Sequence, residues 1–248
     1  MAIWDQFITE RDRQVYAKSG HARHQGFGQR PALLIIDVYY GALGDTPQPI
    51  LESMDEYRSS CGLEGWEAVY KTQRLLKAAR ARGIPVFYST NTSSQSNLIP
   101  EGRGKHEKRE VTPGFSKHIH QIVDEVAPIE GEVVIYKHAP SAFFCTPLIT
   151  YLTQLKIDTL LTCGESTSGC VRASVVDAAS HRFKVSVVGE CTFDRGQASH
   201  AINLFDMQAK YADIVTVEEV EGYLATLPDG LFPATAPRAA TEGVGSPA

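Results

Sequence analysis

Cys170 sits in the segment GESTSGCVRASVVDAA (164–179), directly after the apolar run DTLLTC (158–163). An apolar run, a Gly/Ser/Thr-rich turn and a helical pattern read as strand, tight loop and helix. That order places a thiol at or near a helix N-terminus, where unpaired backbone N–H groups and the positive end of the helix dipole favour a thiolate. The same N–H groups can stabilise an oxyanion on a substrate carbonyl. The chemistry is that of a nucleophile elbow. A cysteine is also commonly a small buried apolar residue, so the elbow needs a base and a cation from elsewhere on the chain.

Two charged residues meet that need. Asp37 lies in IIDVYY, and an acid within an apolar strand is costly unless it is paired, sits at a cleft or caps the next turn. Lys137 follows VVIY, as a solvated strand boundary or as a cation in a cleft. Brought together, Asp37 accepts the thiol proton, while Lys137 lowers the thiol pKa and holds the carboxylate in place.

The elements that must position these side chains follow a repeating order. Strands are expected at ALLIIDV (32–38), IPVFYST (84–90), EVVIYK (132–137), IDTLLTC (157–163), KVSVVGE (184–190) and ADIVTV (212–217). Helices are expected at 63–82, with Val69, Leu75, Leu76 and Ala79 on an apolar stripe and Gly83 as the stop, and at 115–126, 145–155, 169–182, 197–211 and 218–226. Residues 41–62 read as a loop, and 91–114 as a polar loop long enough to carry function. Strands alternating with helices predict a three-layer α/β/α sandwich around a central, mostly parallel six-stranded sheet. Ligands bind such sheets outside the carboxyl ends of the strands, where Asp37, Lys137 and Cys170 all fall. Residues 1–30 form a helical lead-in, 31–232 the domain, and the Ala/Pro/Gly-rich 233–248 a disordered tail.

The 248 residues carry a net charge of -5 and are 43% hydrophobic, which suits one compact domain. The mild acidity gives no sign of nucleic-acid or membrane partners, no apolar run approaches the ~20 residues of a membrane span, and the N-terminus has no continuous apolar signal core. The five cysteines fit no disulfide or zinc framework, so reduced thiols and a cytoplasmic setting are expected. Cys145, Cys163 and Cys191 read as packing residues and Cys61 as an exposed loop residue. A redox role for Cys170 lacks a Cys-x-x-Cys partner.

Across residues 32–217 the chain resembles the cysteine hydrolases of the isochorismatase-like superfamily. The resemblance is carried by IIDV, by K-x3-SAF at Lys137 with Ser141, Ala142 and Phe143, and by G-x-x-T-x-x-C-V at Gly164, Thr167, Cys170 and Val171. It implies an Asp37–Lys137–Cys170 triad, a cis peptide at Glu165–Ser166, and an oxyanion hole built from the N–H groups of Ser166 and Cys170. Nicotinamidases of the superfamily carry an Asp-x-His metal site after the second strand. This chain has STNTSSQSN (89–97) there, its nearest histidine is His106, and His118 and His120 point to different sides of the expected helix. Neither metal nor other cofactor is therefore expected.

The N-terminal lead-in, the elbow with its CVR, and FDRGQASH (193–200) fit the N-carbamoylsarcosine amidohydrolase branch, with maleamate amidohydrolase as a close relative. That branch implies that Arg195 binds a substrate carboxylate, in line with the bidentate fork of a guanidinium, and that the enzyme is a homo-oligomer, a tetramer or dimer. Arg172 reads as a structural pair on the helix. Thr167 from the motif, and Asn91, Thr92 and Phe143 by position, are expected around the substrate. Glu165–Ser166 departs from the small residues expected at the elbow, and an inward-pointing Glu165 would disfavour an anionic substrate. Other readings on the same fold are a nicotinamidase- or ureidoacrylate-type amidase, vinyl-ether hydrolysis, against which Cys170 argues, and a non-catalytic binding protein.

Overall fold

The computed structural model describes residues 2–21, 23–91 and 118–232. Six strands, β1 (Pro31–Ile36), β2 (Val86–Asn91), β3 (Val133–Lys137), β4 (Thr159–Gly164), β5 (Lys184–Thr192) and β6 (Asp213–Val215), form one sheet in the order β3-β2-β1-β4-β5-β6. Every pairing is parallel. Parallel strands need crossovers, and helices supply them on both faces, so β1 and β4 are buried at every residue, β1 as an unbroken apolar run. The chain runs outward from β1 to β3, returns to place β4 beside β1, and runs outward again to β6. The crevice between the carboxyl ends of β1 and β4 is thus the topological switch point, where such sheets bind ligands.

The helices are α1 (Glu10–Ser19), α2 (Tyr40–Leu43), α3 (Ile50–Glu56), α4 (Gly62–Ala81), α5 (Leu148–Gln154), α6 (Arg172–Ser180), α7 (Gln197–Lys210) and α8 (Val217–Thr226). The predicted stripe of α4 is buried against the sheet through Val69, Leu75, Leu76 and Ala79. Gly83 follows in the left-handed region at φ 63°, where a glycine meets no Cβ penalty.

Several expectations are corrected. The predicted loop 41–62 contains most of α2 and all of α3. The only buried residue of α3 is Ser53, so it has no apolar stripe to betray it. The helix expected at 115–126 is absent from 118 onward. Residues 118–121 turn, and a single 3-10 turn, Asp124–Val126, follows. His118 and His120 are therefore not on a helix, and His118 Nε2 lies 3.1 Å from Asp45 Oδ1. Cys61, expected exposed, is fully buried as the N-cap of α4, and Cys145, expected to pack, is exposed. Thr92, His106, the loop through 114 and the tail 233–248 lie outside the described residues. No helix among the described residues is long and apolar enough to cross a membrane.

Candidate active site

Asp37 follows β1 at φ 55°, in the left-handed region that an Asp tolerates better than most side chains. Its backbone N–H donates to the Ser89 carbonyl at 3.0 Å, and the Ser89 hydroxyl donates to Asp37 Oδ1 at 2.8 Å. β2 therefore holds the acid twice. Lys137 ends β3 opposite Asn91 of β2. Neighbouring strands lie ~4.8 Å apart, so Lys137 starts two strand spacings from Asp37 and must extend over the end of β2 to meet it. It does so: Lys137 Nζ is 2.7 Å from Asp37 Oδ2, 3.4 Å from Cys170 Sγ, and donates to the Ala139 carbonyl at 3.1 Å. Both charged side chains are 1% exposed. A buried pair of this kind survives only when the geometry is close and the remaining protons and lone pairs are satisfied, and the bonds from Ser89 and to Ala139 serve that end.

Cys170 arrives from the other side of the switch point. β4 ends at Gly164 with φ 111°, and a Cβ there would stand 2.0 Å from the Ile36 carbonyl oxygen, so only glycine lets β4 pass the end of β1. The Glu165–Ser166 peptide is cis. One π-helical turn, Thr167–Val171, carries the thiol before α6 begins. Its N–H groups are largely committed: Thr167 donates to the Phe193 carbonyl, Ser168 to Asp194 Oδ2, and Gly169 and Val171 to the Ser166 carbonyl. The Ser166 N–H has no hydrogen-bond partner among the described residues, and the Cys170 N–H bonds to nothing outside the turn.

The loop after β3 is stitched to this elbow. The Ser141 hydroxyl donates to Asp177 Oδ2, the Ala142 N–H to Ser174 Oγ at 2.9 Å, and Ser174 Oγ to the Cys170 carbonyl at 2.7 Å. This explains the serine after Lys137: its hydroxyl, with the Ala142 backbone, locks the lysine segment onto α6. Phe143, expected around the substrate, is buried beside the His181 and Phe183 rings, with centroids at 5.6 and 6.4 Å, at the end of α6. Thr167 is likewise fully buried, its hydroxyl against the Phe193 carbonyl and His200 Nδ1 at 3.1 and 2.7 Å, so it braces the turn. Asn91 stays at the sheet edge, donating to Tyr39 Oη at 2.9 Å. Arg172 faces Asp206 at 3.9 Å on the helix layer.

Burial works against the Lys137 ammonium, but Asp37 and Cys170 beside it prevail and hold its pKa above the ordinary lysine value. Burial first, then the Asp37 carboxylate, pushes the Cys170 thiol up to about 12, and Lys137 offsets this only in part. The thiolate expected from a helix terminus is therefore not the resting state. Cys170 is held toward the thiol form, beside the Asp37–Lys137 pair. Such an arrangement suits a nucleophile with an adjacent base and a nearby cation.

The remaining charges were only partly legible. Arg195 follows β5, and its Nη1 donates to the Ser59 carbonyl at 2.8 Å. Glu165 points inward, with its Oε1 3.5 Å from Arg195 Nη1. Burial first, and Asp37 among the nearby acids, raise the Glu165 carboxyl to about 7 against the pull of Arg195. Sequence reasoning missed Ser89 and Asp194. Asp194 ties the elbow to the arginine loop by accepting from the Ser168 N–H and hydroxyl and from the Arg195 N–H. Its place one residue before Arg195 was the available signal.

Comparison with known proteins agrees with this frame. Residues 31–219 match the isochorismatase domain family. The chain is 34% identical over 234 residues to an N-carbamoylsarcosine amidase of Arthrobacter sp, covering 92% of this chain and 83% of that protein. It is 38% identical over 196 residues to a maleamate amidohydrolase of Pseudomonas putida, covering 78% and 86%. Among solved structures, an isochorismatase family protein from Burkholderia thailandensis superposes with a TM-score of 0.66 at 23% identity, over 82% of this chain and all (100%) of that one. An N-carbamoylsarcosine amidase from Thermoplasma acidophilum gives 0.60 at 23%, over 78% and 99%. Both are likenesses of fold. The chain belongs to the isochorismatase family, in its amidohydrolase branch.

Proposed function

We propose that this protein is a cysteine-dependent amidohydrolase that cleaves the C–N bond of a small carboxylate-bearing amide or ureido compound and releases ammonia. The observation that carries the reading is the contact of one buried lysine with both an acid and a thiol: Lys137 Nζ lies 2.7 Å from Asp37 Oδ2 and 3.4 Å from Cys170 Sγ. The relatives act, by their names, on N-carbamoylsarcosine and on maleamate, and either is a fitting substrate class.

In this reading Asp37 takes the proton of Cys170 as the sulfur attacks the carbonyl carbon. Lys137 stabilises the acid before the transfer and the sulfur during it. The oxyanion is met by the N–H groups of Ser166 and Cys170. Collapse breaks the C–N bond, Asp37 returns the proton to the leaving nitrogen, and ammonia departs from an acyl- or carbamoyl-thioester. Water then adds to the thioester carbonyl and its proton passes through Asp37 to the departing sulfur, restoring the thiol. Maleamate gives maleate and ammonia. N-carbamoylsarcosine gives sarcosine, carbon dioxide and ammonia. Arg195 holds the substrate carboxylate away from the reacting centre, and no metal takes part.

The test is ammonia release from N-carbamoylsarcosine, maleamate and nicotinamide, each with and without a chelator. The reading expects chelator-resistant turnover of a carboxylate substrate and none of nicotinamide, with Cys170→Ala folded and inactive. Chelator-sensitive turnover of nicotinamide, or an active Cys170→Ala protein, overturns it.

A further inference from the structure

The proposed carboxylate clamp already has an anion beside it. Arg195 Nη1 is committed to the Ser59 carbonyl and faces Glu165 Oε1 at 3.5 Å. Nη2 and Nε of the same guanidinium make no hydrogen bond among the described residues, and the arginine side chain is 37% exposed. One edge of the fork is thus held by the protein and the other is left over. The Glu165 side chain is 7% exposed, so its carboxyl stays buried beside the guanidinium.

Charge counting then constrains what binds. From the segment after β1, Asp37 and Tyr39 face Glu165. Cys61 approaches from the N-cap of α4, Cys170 from the π-helical turn, and Asp194 and Arg195 from the loop after β5. Lys137 is bound to Asp37. Three carboxylates, on Asp37, Glu165 and Asp194, are therefore set against two cations, on Lys137 and Arg195. A substrate carboxylate on the open edge of Arg195 adds a fourth negative charge one guanidinium away from Glu165. Two carboxylates sharing such a site do not both stay ionised, and one is driven to the acid form.

We propose that Glu165 and the substrate carboxylate share Arg195, so that a carboxylate substrate binds together with one proton, which is taken from solvent by Glu165. This makes Glu165 a specificity-determining residue: it sets an alkaline limit on carboxylate amides and leaves uncharged amides of the same shape indifferent. The inference rests on the carboxylate-substrate reading above. The elevated Glu165 carboxyl, about 7, puts the required proton within reach at neutral pH. The sign follows directly. Above pH 7 the free enzyme carries ionised Glu165, and binding must supply the proton, so affinity falls as pH rises. Below pH 7 the proton is already in place.

The experiment compares kcat/KM for maleamate with that for its uncharged methyl ester, read as ammonia release from pH 6 to pH 8.5. Ionisation of the triad affects both substrates and cancels in their ratio. The ratio is expected to fall about tenfold between pH 6 and pH 8 in the unaltered protein, the factor for a single group near 7. In Glu165→Gln it is expected to be flat, with a KM for maleamate at pH 8 about tenfold lower than in the parent. A second measurement does not depend on that variant folding. Calorimetric binding of maleamate to Cys170→Ala protein at pH 8, in two buffers of different ionisation enthalpy, is expected to take up about one proton per molecule bound. Ready turnover of maleamate with a pH-independent ratio, a Glu165→Gln profile that matches the parent, or binding without proton uptake overturns this inference alone. Turnover of the methyl ester with none of maleamate overturns the carboxylate reading, and this inference with it.

Discussion

The ion pair beneath the thiol is the part of the site whose energetics are best defined. Asp37 and Lys137 are each 1% exposed at the side chain and stand 2.7 Å apart. Replacing Lys137 with Met leaves a buried carboxylate with the Ser89 hydroxyl and the Cys170 thiol beside it but no cation. Replacing Asp37 with Asn leaves an ammonium whose remaining partners are the Ala139 carbonyl and a neutral thiol. Leaving one member of a buried pair uncompensated costs about 3–5 kcal/mol, so each single variant should lose a large share of a domain stability of about 5–15 kcal/mol. The double variant Asp37→Asn/Lys137→Met buries no unpaired charge and should lose much less than the sum of the singles, with a coupling of at least about 2 kcal/mol. The assay is urea unfolding of the four proteins at pH 7.5, compared at equal m-value. All three variants are expected to be inactive, so stability and not turnover carries the test. Losses that add to within about 0.5 kcal/mol would refute the claim that these groups are a coupled buried pair.

Two further outcomes follow from the geometry. Because burial and Asp37 push the Cys170 thiol up to about 12, iodoacetamide should label it more slowly at pH 7.5 than it labels glutathione, with the rate rising as the pH approaches 12; labelling at Cys170 faster than at glutathione, read by peptide mass spectrometry, would contradict a resting thiol. Gly164→Ala would force a Cβ to within 2.0 Å of the Ile36 carbonyl oxygen, so it should lose more than about 4 kcal/mol or fail to fold, and a soluble variant with parental thermal stability would refute the close approach of β1 and β4.

Much of this architecture can be read from residue order, for reasons that also mark where such reading stops. β1 and β4 are buried at every position because both faces of a parallel sheet are covered, and β1 is apolar throughout. The meeting of Asp37 and Lys137 is legible because an Asp and a Lys closing apolar strands are costly unless they meet something. Periodicity reports a side chain's direction only inside a regular element. Cys145 lies before α5 in a segment without a period, and it is exposed where packing was expected. The same holds at the elbow, where the braced Thr167 and the inward Glu165 sit in a turn whose path no pattern encodes. α3 escaped notice because a helix that buries a single serine has no stripe.

Lys137 also explains why its position calls for one amino acid. Its strand is separated from β1, which Asp37 follows, by the whole width of β2, so the lysine acts as a gauge, an unbranched arm cut to the span of a single strand. A shorter base falls short of the carboxylate. Arginine brings a rigid planar head in place of a point charge that here stands against Asp37 and donates to Cys170 and Ala139. Sheet spacing is a constant of polypeptide chemistry, so the middle strand serves as the ruler by which the backbone selects a side chain.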